Sequence, residues 1–295
     1  MQCKGKETPE RTKQISKYKH KTRGFKTMRS KAMERKYEFT DETRQILGRT
    51  LHRIVAVRNF GNVKAGDKGG WIEKESNLSH EGNCWVYDEA MVFDDAKVSD
   101  NAKVCDHATV CGMAKVYGNA ELYVRAQVCS YARVYDSAQV YGDAMVYGSA
   151  HVYEYAMVFG SAYVCSDAKV YGDAGVYGDT RVCGDARVYG NARVYGNATV
   201  CFLSRVFGEV ELHGNAEISG TASVSSERDY IVFKNWWSSG RYFTWTRSNN
   251  KWRVGCFYGT GDELIHKAYK DSKQSGREYK RIVKYVEGIL KAEEE

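Results

Sequence analysis

"GDARVYGNARVYGNATV", residues 184–200, states one six-residue phrase nearly three times: Val, an aromatic, Gly, Asp or Asn, Ala and a variable residue. Counting in sixes from the large aliphatic position carries the phrase far beyond this stretch. Val86, Val92, Val98, Val104, Val110 and Val116 lead to Leu122, Val128 opens a run of Val through Val206, and Leu212, Ile218 and Val224 close it. That is 24 successive hexads without an insertion or deletion. Ala stands two residues before most of them, as at Ala90, Ala96, Ala102 and Ala108, and the exceptions, Thr180, Ser204 and Val210, are also small.

An α-helix needs a period of 3.6 residues and a plain strand a period of two, so a strict six belongs to neither. Hexapeptide repeats form a parallel β-helix instead. Three hexads make one roughly triangular coil of about 18 residues, each side a short strand with Ala and Val turned inward. Gly, Asn and Asp fall between the strands, where a sharp corner requires φ > 0. Eight such coils at the ~4.8 Å strand spacing predict a rod of roughly 38 Å.

With that register in hand, the hexads resemble the left-handed β-helix proteins that carry the [LIV]-x-x-x-[small]-x signature. The stretch "GRTLHRIVAVRNFGNVKAGDKGGWIEKESNLSHEGNCWVYDEA", residues 48–90, is similar to the lead-in segment of a bacterial and phage group that includes YdcK-type acetyltransferases. The left hand of the helix is what this resemblance implies. In one respect the chain departs from the family. Gly often follows the aliphatic residue directly there, whereas here Tyr, Phe or Cys takes that place and Gly comes next, which makes the outer surface unusual.

The flanks predict caps for the two open ends of the stack, which would otherwise template unwanted pairing. Residues 37–85 hold an alternating strand candidate, "HRIVAVRNF", and the Gly-rich "KAGDKGGW". Ile72 and Leu78 are six apart but two residues out of register with Val86, which predicts an atypical first turn. The solenoid proper covers 86–225. Residues 226–295 predict a small α+β domain, with aromatic strands in "DYIVFKNWW", "RYFTWTR" and "KWRVGCFY" and hairpin-like turns at "SSG" and "SNN". Two helices follow, one from near Asp262, with "GTGDE" as its N-cap turn, and one with Ser275 as N-cap and Tyr279, Ile282, Val283, Val286, Ile289 and Leu290 on one face. Residues 1–36 carry 13 Lys or Arg against 3 Glu and read as a mobile basic arm. Met33 is an alternative start, which would make the arm an upstream addition.

Composition narrows the function classes. With 43% apolar and 27% charged residues the chain has the balance of a soluble folded protein of one or two domains. No apolar stretch approaches the ~20 residues needed to span a bilayer, and "MQCKGKETPERTKQ" lacks the apolar core of a secretory signal. The expectation is a cytoplasmic protein without membrane contact. The nine Cys follow the repeat, form no CxxC pair, and are expected as reduced thiols.

Every eighteenth residue shares a face, and the residues following each Val sort into three rows. One holds Tyr117, Tyr135, Tyr153, Tyr171 and Tyr189, five tyrosines expected to stack outside the rod. A second runs from Tyr87 through Tyr123, Tyr141, Phe159, Tyr177 and Tyr195 to His213. The third reads Phe93, Cys111, Cys129, Tyr147, Cys165, Cys183, Cys201 and Ser219, with Cys as a small β-compatible substitute for Tyr. Neighbouring coils bring those thiols within disulfide distance, though with unfavourable side-chain direction.

These rows point to a non-enzymatic structural or binding solenoid that presents aromatic ladders and a C-terminal module to a protein partner or to itself. Tyr117, Tyr135, Tyr153, Tyr171, Tyr189, Trp236 and Trp237 are its candidate binding residues, and it requires no cofactor and no metal. The family resemblance implies the alternative, an acyltransferase in which a His serves as general base and acetyl-CoA lies between neighbouring rods. His80, His107, His151 and His213 are the candidates, but the last three occupy different hexad positions and make no single site within one chain. The unbroken register also leaves no room for the loop such enzymes often throw out of a coil. Three metal-binding His of a γ-type carbonic anhydrase cannot be assembled at this spacing, and the regular Thr rows of an ice-binding solenoid are missing. Residues 1–36 add a lesser reading, nucleic-acid association through salt-sensitive phosphate contacts.

Overall fold

The structure, a computed structural model, describes residues 34–295. The predicted basic arm lies outside the described residues except for its last three. Every hexad from Val86 to Val224 forms one two-residue strand ending on the aliphatic residue, from β4 (Trp85–Val86) to β27 (Ser223–Val224). Strands three hexads apart pair in parallel, Val128 beside Val146 and Val134 beside Val152, so the chain winds through three parallel sheets in turn. This is the predicted parallel β-solenoid.

Its axis is solid. Each inward aliphatic residue from Val86 to Val224, and each Ala between them, is at most 3% exposed. Thr180 and Ser204 replace Ala in this axis without leaving a polar atom stranded, because each hydroxyl donates at 2.7 Å to a carbonyl of its own corner, Tyr177 O and Cys201 O. Corner geometry explains the residue choice as well. Gly142 has φ +74°, and a Cβ there would sit 2.9 Å from the Gly160 nitrogen. Where Asp or Glu takes the positive-φ position, its carboxylate accepts the N–H of the coil above, as Asp106 does from Val124 at 2.8 Å.

The N-terminal flank builds the atypical first turn. β1 (Tyr37–Ile46), β2 (Arg49–Ala56) and β3 (Lys68–Ile72) form an antiparallel lead-in that joins the first solenoid sheet at its end. Ile72 pairs with Val92, and Leu78 bridges to Val98, each across 20 residues rather than 18. That two-residue excess is the register offset seen in the sequence, and it brings the count to about nine turns where the hexads alone predict eight. Glu89 ties the lead-in to the rod: it receives Arg53 Nη1 at 2.8 Å, Trp71 Nε1 at 3.1 Å and Arg44. The Arg53 contact in particular pulls its carboxyl down to about 2. Lys36, assigned by composition to the basic arm, is instead fully buried under this end. The correction has a local cause: its amine finds two acceptors on Cys84, and its stem packs inside the cap.

Beyond Val224 a four-stranded antiparallel sheet, β28 (Tyr230–Lys234), β29 (Tyr242–Thr246), β30 (Lys251–Val254) and β31 (Phe257–Gly259), covers the last coil. Thr244 Oγ1 accepts from Glu217 N at 2.9 Å and Ser248 Oγ from Ser223 N at 2.7 Å, which satisfies backbone donors the final coil leaves open. Helices α1 (Gly261–Asp271) and α2 (Lys273–Glu294) close the far side over Phe243, Trp245 and Trp252. Thr260 and Glu263 make a capping box, as "GTGDE" predicts. Ser275 is not the cap of α2. Ser272 holds that place and accepts the Ser275 N–H at 3.0 Å, so α2 begins three residues earlier than predicted, almost directly after α1.

Candidate functional site

Stacked identical coils turn each sequence position into a row along the rod. The tyrosines do stack. Tyr117, Tyr135, Tyr153, Tyr171, Tyr189 and Phe207 form a continuous pile with centroids 4.9 to 5.1 Å apart and planes within 6° of parallel. The second row stacks the same way from Tyr123 to Tyr195, and His213 ends it at 5.4 Å. In both piles ring meets ring, so what faces outward is a band of ring edges and hydroxyls.

The residue before each Val forms rows too, and one of them has no counterpart in the sequence reading. On the sheet that carries Tyr117, strand partners run Lys97, Lys115, Arg133, His151, Lys169, Arg187, Arg205. A basic residue at every eighteenth position before Val is the signal in the sequence that marks this row. On the neighbouring sheet the charges alternate in sign, and Lys103 binds Glu121 at 2.7 Å and Arg193 binds Glu211 at 3.2 Å. Among the described residues, no Lys or Arg of the Tyr117 face has a carboxylate within ion-pair distance.

The four candidate histidines are scattered. His80 sits in the N-terminal cap, stacked on Tyr37 at 4.4 Å, with Nδ1 accepting from Lys36 N at 3.1 Å and Nε2 against Glu75 at 3.0 Å. Because Nδ1 accepts, the proton rests on Nε2 and goes to Glu75, so both ring nitrogens are committed inside the cap. His107 is exposed at a corner, and His213 is exposed at the end of its ladder. His151 alone lies in a charged row, half-buried between Arg133 and Lys169; burial first, then these two cations, lower its pKa below 6.5. Two shallow hollows open on its face, one of about 370 Å³ over Lys97, Lys115, Tyr117 and Arg133, the other of about 300 Å³ over His151, Asp167, Lys169 and Arg187. Among the described residues, no group of three or more His, Cys, Asp or Glu is placed to hold a metal ion.

Comparison with known proteins agrees with this geometry where it reaches. Residues 138–154 and 186–201 match the YdcK β-solenoid repeat family. Within the rod, these two stretches are similar to the YdcK-type repeat. A protein named uncharacterized acetyltransferase YdcK, from Escherichia coli (strain K12), is 51% identical over 39 residues, which cover 13% of this chain and 12% of that one.

The third face of the solenoid carries the Cys row. Cys111 and Cys129, on adjacent coils with Cα atoms 4.7 Å apart, are disulfide-bonded, against the expectation of reduced thiols throughout. In a stack without insertions, one position on neighbouring coils is held inside bridging distance whatever occupies it. Further along, contact with Cys183 and with Ser219 brings the Cys201 thiol down to about 7, while the Cys183 thiol is pushed up by the same contact and by burial. At the C-terminal end the two candidate tryptophans part company. Trp236 is 72% exposed, whereas Trp237 packs edge-on against Tyr279 at 5.0 Å in the domain core. No helix among the described residues is long and apolar enough to cross a membrane.

Proposed function

We propose that the chain is a binding solenoid, a stiff rod whose working surface is the face that carries Tyr117 to Phe207. The observation behind this reading is the continuity of that face. Six stacked rings run beside a row of unpaired cations with no loop between Val86 and Val224 to interrupt them. Such a band exceeds what a surface needs for solubility. Coil repetition supplies the rigidity, so a partner meets a surface that is already ordered and loses less free energy on binding. The exposed Trp236 offers a second contact at the C-terminal end. The six cysteines that stand as free thiols among the described residues favour a cytoplasmic setting, and the Cys111–Cys129 bond is the feature that weighs against it.

The name of the matched relative favours a second reading, acyl transfer from acetyl-CoA at a site between two copies. His151 is then the base, since its half-buried ring lies on an open face that a second rod can cover. Calorimetric titration with acetyl-CoA, with light scattering to give the assembly state, separates the two. The binding reading expects no saturable uptake. Micromolar uptake lost on His151→Ala or His107→Ala, in a trimer with a cleft between rods, replaces it with the enzyme.

A further inference from the structure

We propose that the Tyr117 face binds a linear acidic polysaccharide, a 1→4-linked polymer of sugar acids laid along the rod axis. The assignment rests on the reading of this face as the working surface, and it names what that surface meets.

Charge comes first. Lys97, Lys115, Arg133, Lys169, Arg187 and Arg205 share one row, and all but the half-buried Lys169 are exposed. Like charges on adjacent strands repel, so a file of them costs folding free energy unless something outside compensates it. General basicity does not account for the file, because acidic side chains slightly outnumber basic ones in residues 34–295. Nearby carboxylates do not neutralise it either. Beyond the tyrosines, Asp100 and Glu154 accept backbone N–H groups of the next coil at 2.9 and 2.7 Å, and Asp136 does so at 3.3 Å. Asp167 and Asp185 line the hollow with His151, Lys169 and Arg187 but are not ion-paired to them.

Shape then selects among polyanions. From Lys97 to Arg205 the row runs straight for six coil steps, roughly 29 Å. A B-form strand makes a full turn in about 34 Å and touches such a line only where it crosses. Single-stranded nucleic acid is usually held by bases stacking on aromatic faces, and here each ring face is covered by the next ring. A 1→4-linked pyranose is about as long as one coil is thick, so one carboxylate falls at each coil along the axis; successive sugars are rotated, and every second or third carboxylate faces the cations directly. Its stiff ring has little conformational freedom to lose. The tyrosines stand two residues along the same strands, roughly 7 Å from the cations. Their hydroxyl edges meet the other side of the polymer and can donate to its sugar hydroxyls and to the carboxylates turned away from the cations.

The test is calorimetric titration of the full chain with an oligogalacturonate of about ten residues. Micromolar binding is expected, weakening roughly tenfold between about 20 and about 200 mM salt. The variant K115E/R133E/K169E/R187E should lose roughly tenfold or more in affinity while keeping its circular dichroism and unfolding midpoint. Arg193→Glu, on the ion-paired face, should bind as the parent does. Y135F/Y153F/Y171F keeps the stack but not the hydroxyls and should weaken binding roughly two- to fivefold. The basic arm is present in every variant, so undiminished affinity in the charge-reversed chain assigns binding to the arm and overturns the proposal. So does an absence of binding, or tighter binding of a single-stranded oligothymidylate through the same row. Acetyl-CoA uptake abolished by His151→Ala would overturn the binding-solenoid reading itself, whatever the oligosaccharide does.

Discussion

The ammonium of Lys36 lies 2.8 Å from the carbonyl oxygen of Cys84 and 3.2 Å from its Sγ, fully buried beneath the first coil. Phe60 adds its ring face 4.9 Å from the same nitrogen. A buried cation with these acceptors works as a plug for the N-terminal end of the stack. Lys36→Ala strips the Cys84 carbonyl of its donor and leaves a cavity, and should destabilise the fold by about 2–3 kcal/mol in urea unfolding. Lys36→Met, which keeps most of the volume, should cost less.

Tyr153 stacks on Tyr135 at 5.0 Å and on Tyr171 at 4.9 Å. Tyr153→Ser removes both contacts and should lower stability by about 0.4–2 kcal/mol, at roughly 0.2–1 kcal/mol for each cross-strand pair. Tyr153→Phe should leave it nearly unchanged. Thermal unfolding followed by circular dichroism distinguishes the two, because a ladder stabilised by its hydroxyls would be weakened by Tyr153→Phe about as much as by Tyr153→Ser.

His151 gives up its proton more readily in the fold than in the unfolded chain. Burial is the main cause, Arg133 and Lys169 add to it, and Asp167 opposes it; the edge of Tyr135 lies 6.0 Å away. The unfolded chain therefore binds more protons just below pH 6.5, so the stability linked to this ring is complete above that pH and declines as pH falls through it. His151→Gln should flatten that decline in a stability profile between about pH 7 and pH 5. An unchanged profile would place the acid sensitivity elsewhere.

The cysteines should divide into three behaviours, Cys105 standing on the Tyr123 face and the others in the Cys row. Peptide mapping without reductant should recover Cys111 and Cys129 linked. Cys201, whose thiol is brought down by its contacts with Cys183 and Ser219, should be alkylated at lower pH than an ordinary thiol, slowly because it is only 8% exposed. Cys105, pushed up to about 12 by burial, should stay unmodified at the same pH. Equal labelling of Cys105 and Cys201 would contradict the assignment.

Most of the rod was legible because its rule is local. A period of six places Val158 above Val140 and below Val176 without reference to any distant residue, and both pairings are present. The aromatic piles follow from the same count. The start of α2 was not legible, since Ser272 and Ser275 both have capping chemistry and only the close approach of α1 decides between them. The cation row is present in the letters, but at the position before Val, where basic and acidic residues mix along the chain and only the coil period separates them.

What the sequence by itself determined is the solenoid: its pitch, its valine axis, the rows on its surface, and the two-residue offset at its first turn, all consequences of side chains repeating at one interval. Only the tertiary structure decided which rows are neutralised and which are not, that Lys36 belongs to the cap, and that Cys111 meets Cys129. Those outcomes depend on side-chain direction and on contacts across coils and flanks, where a spacing shows which groups are near but not which of them bond.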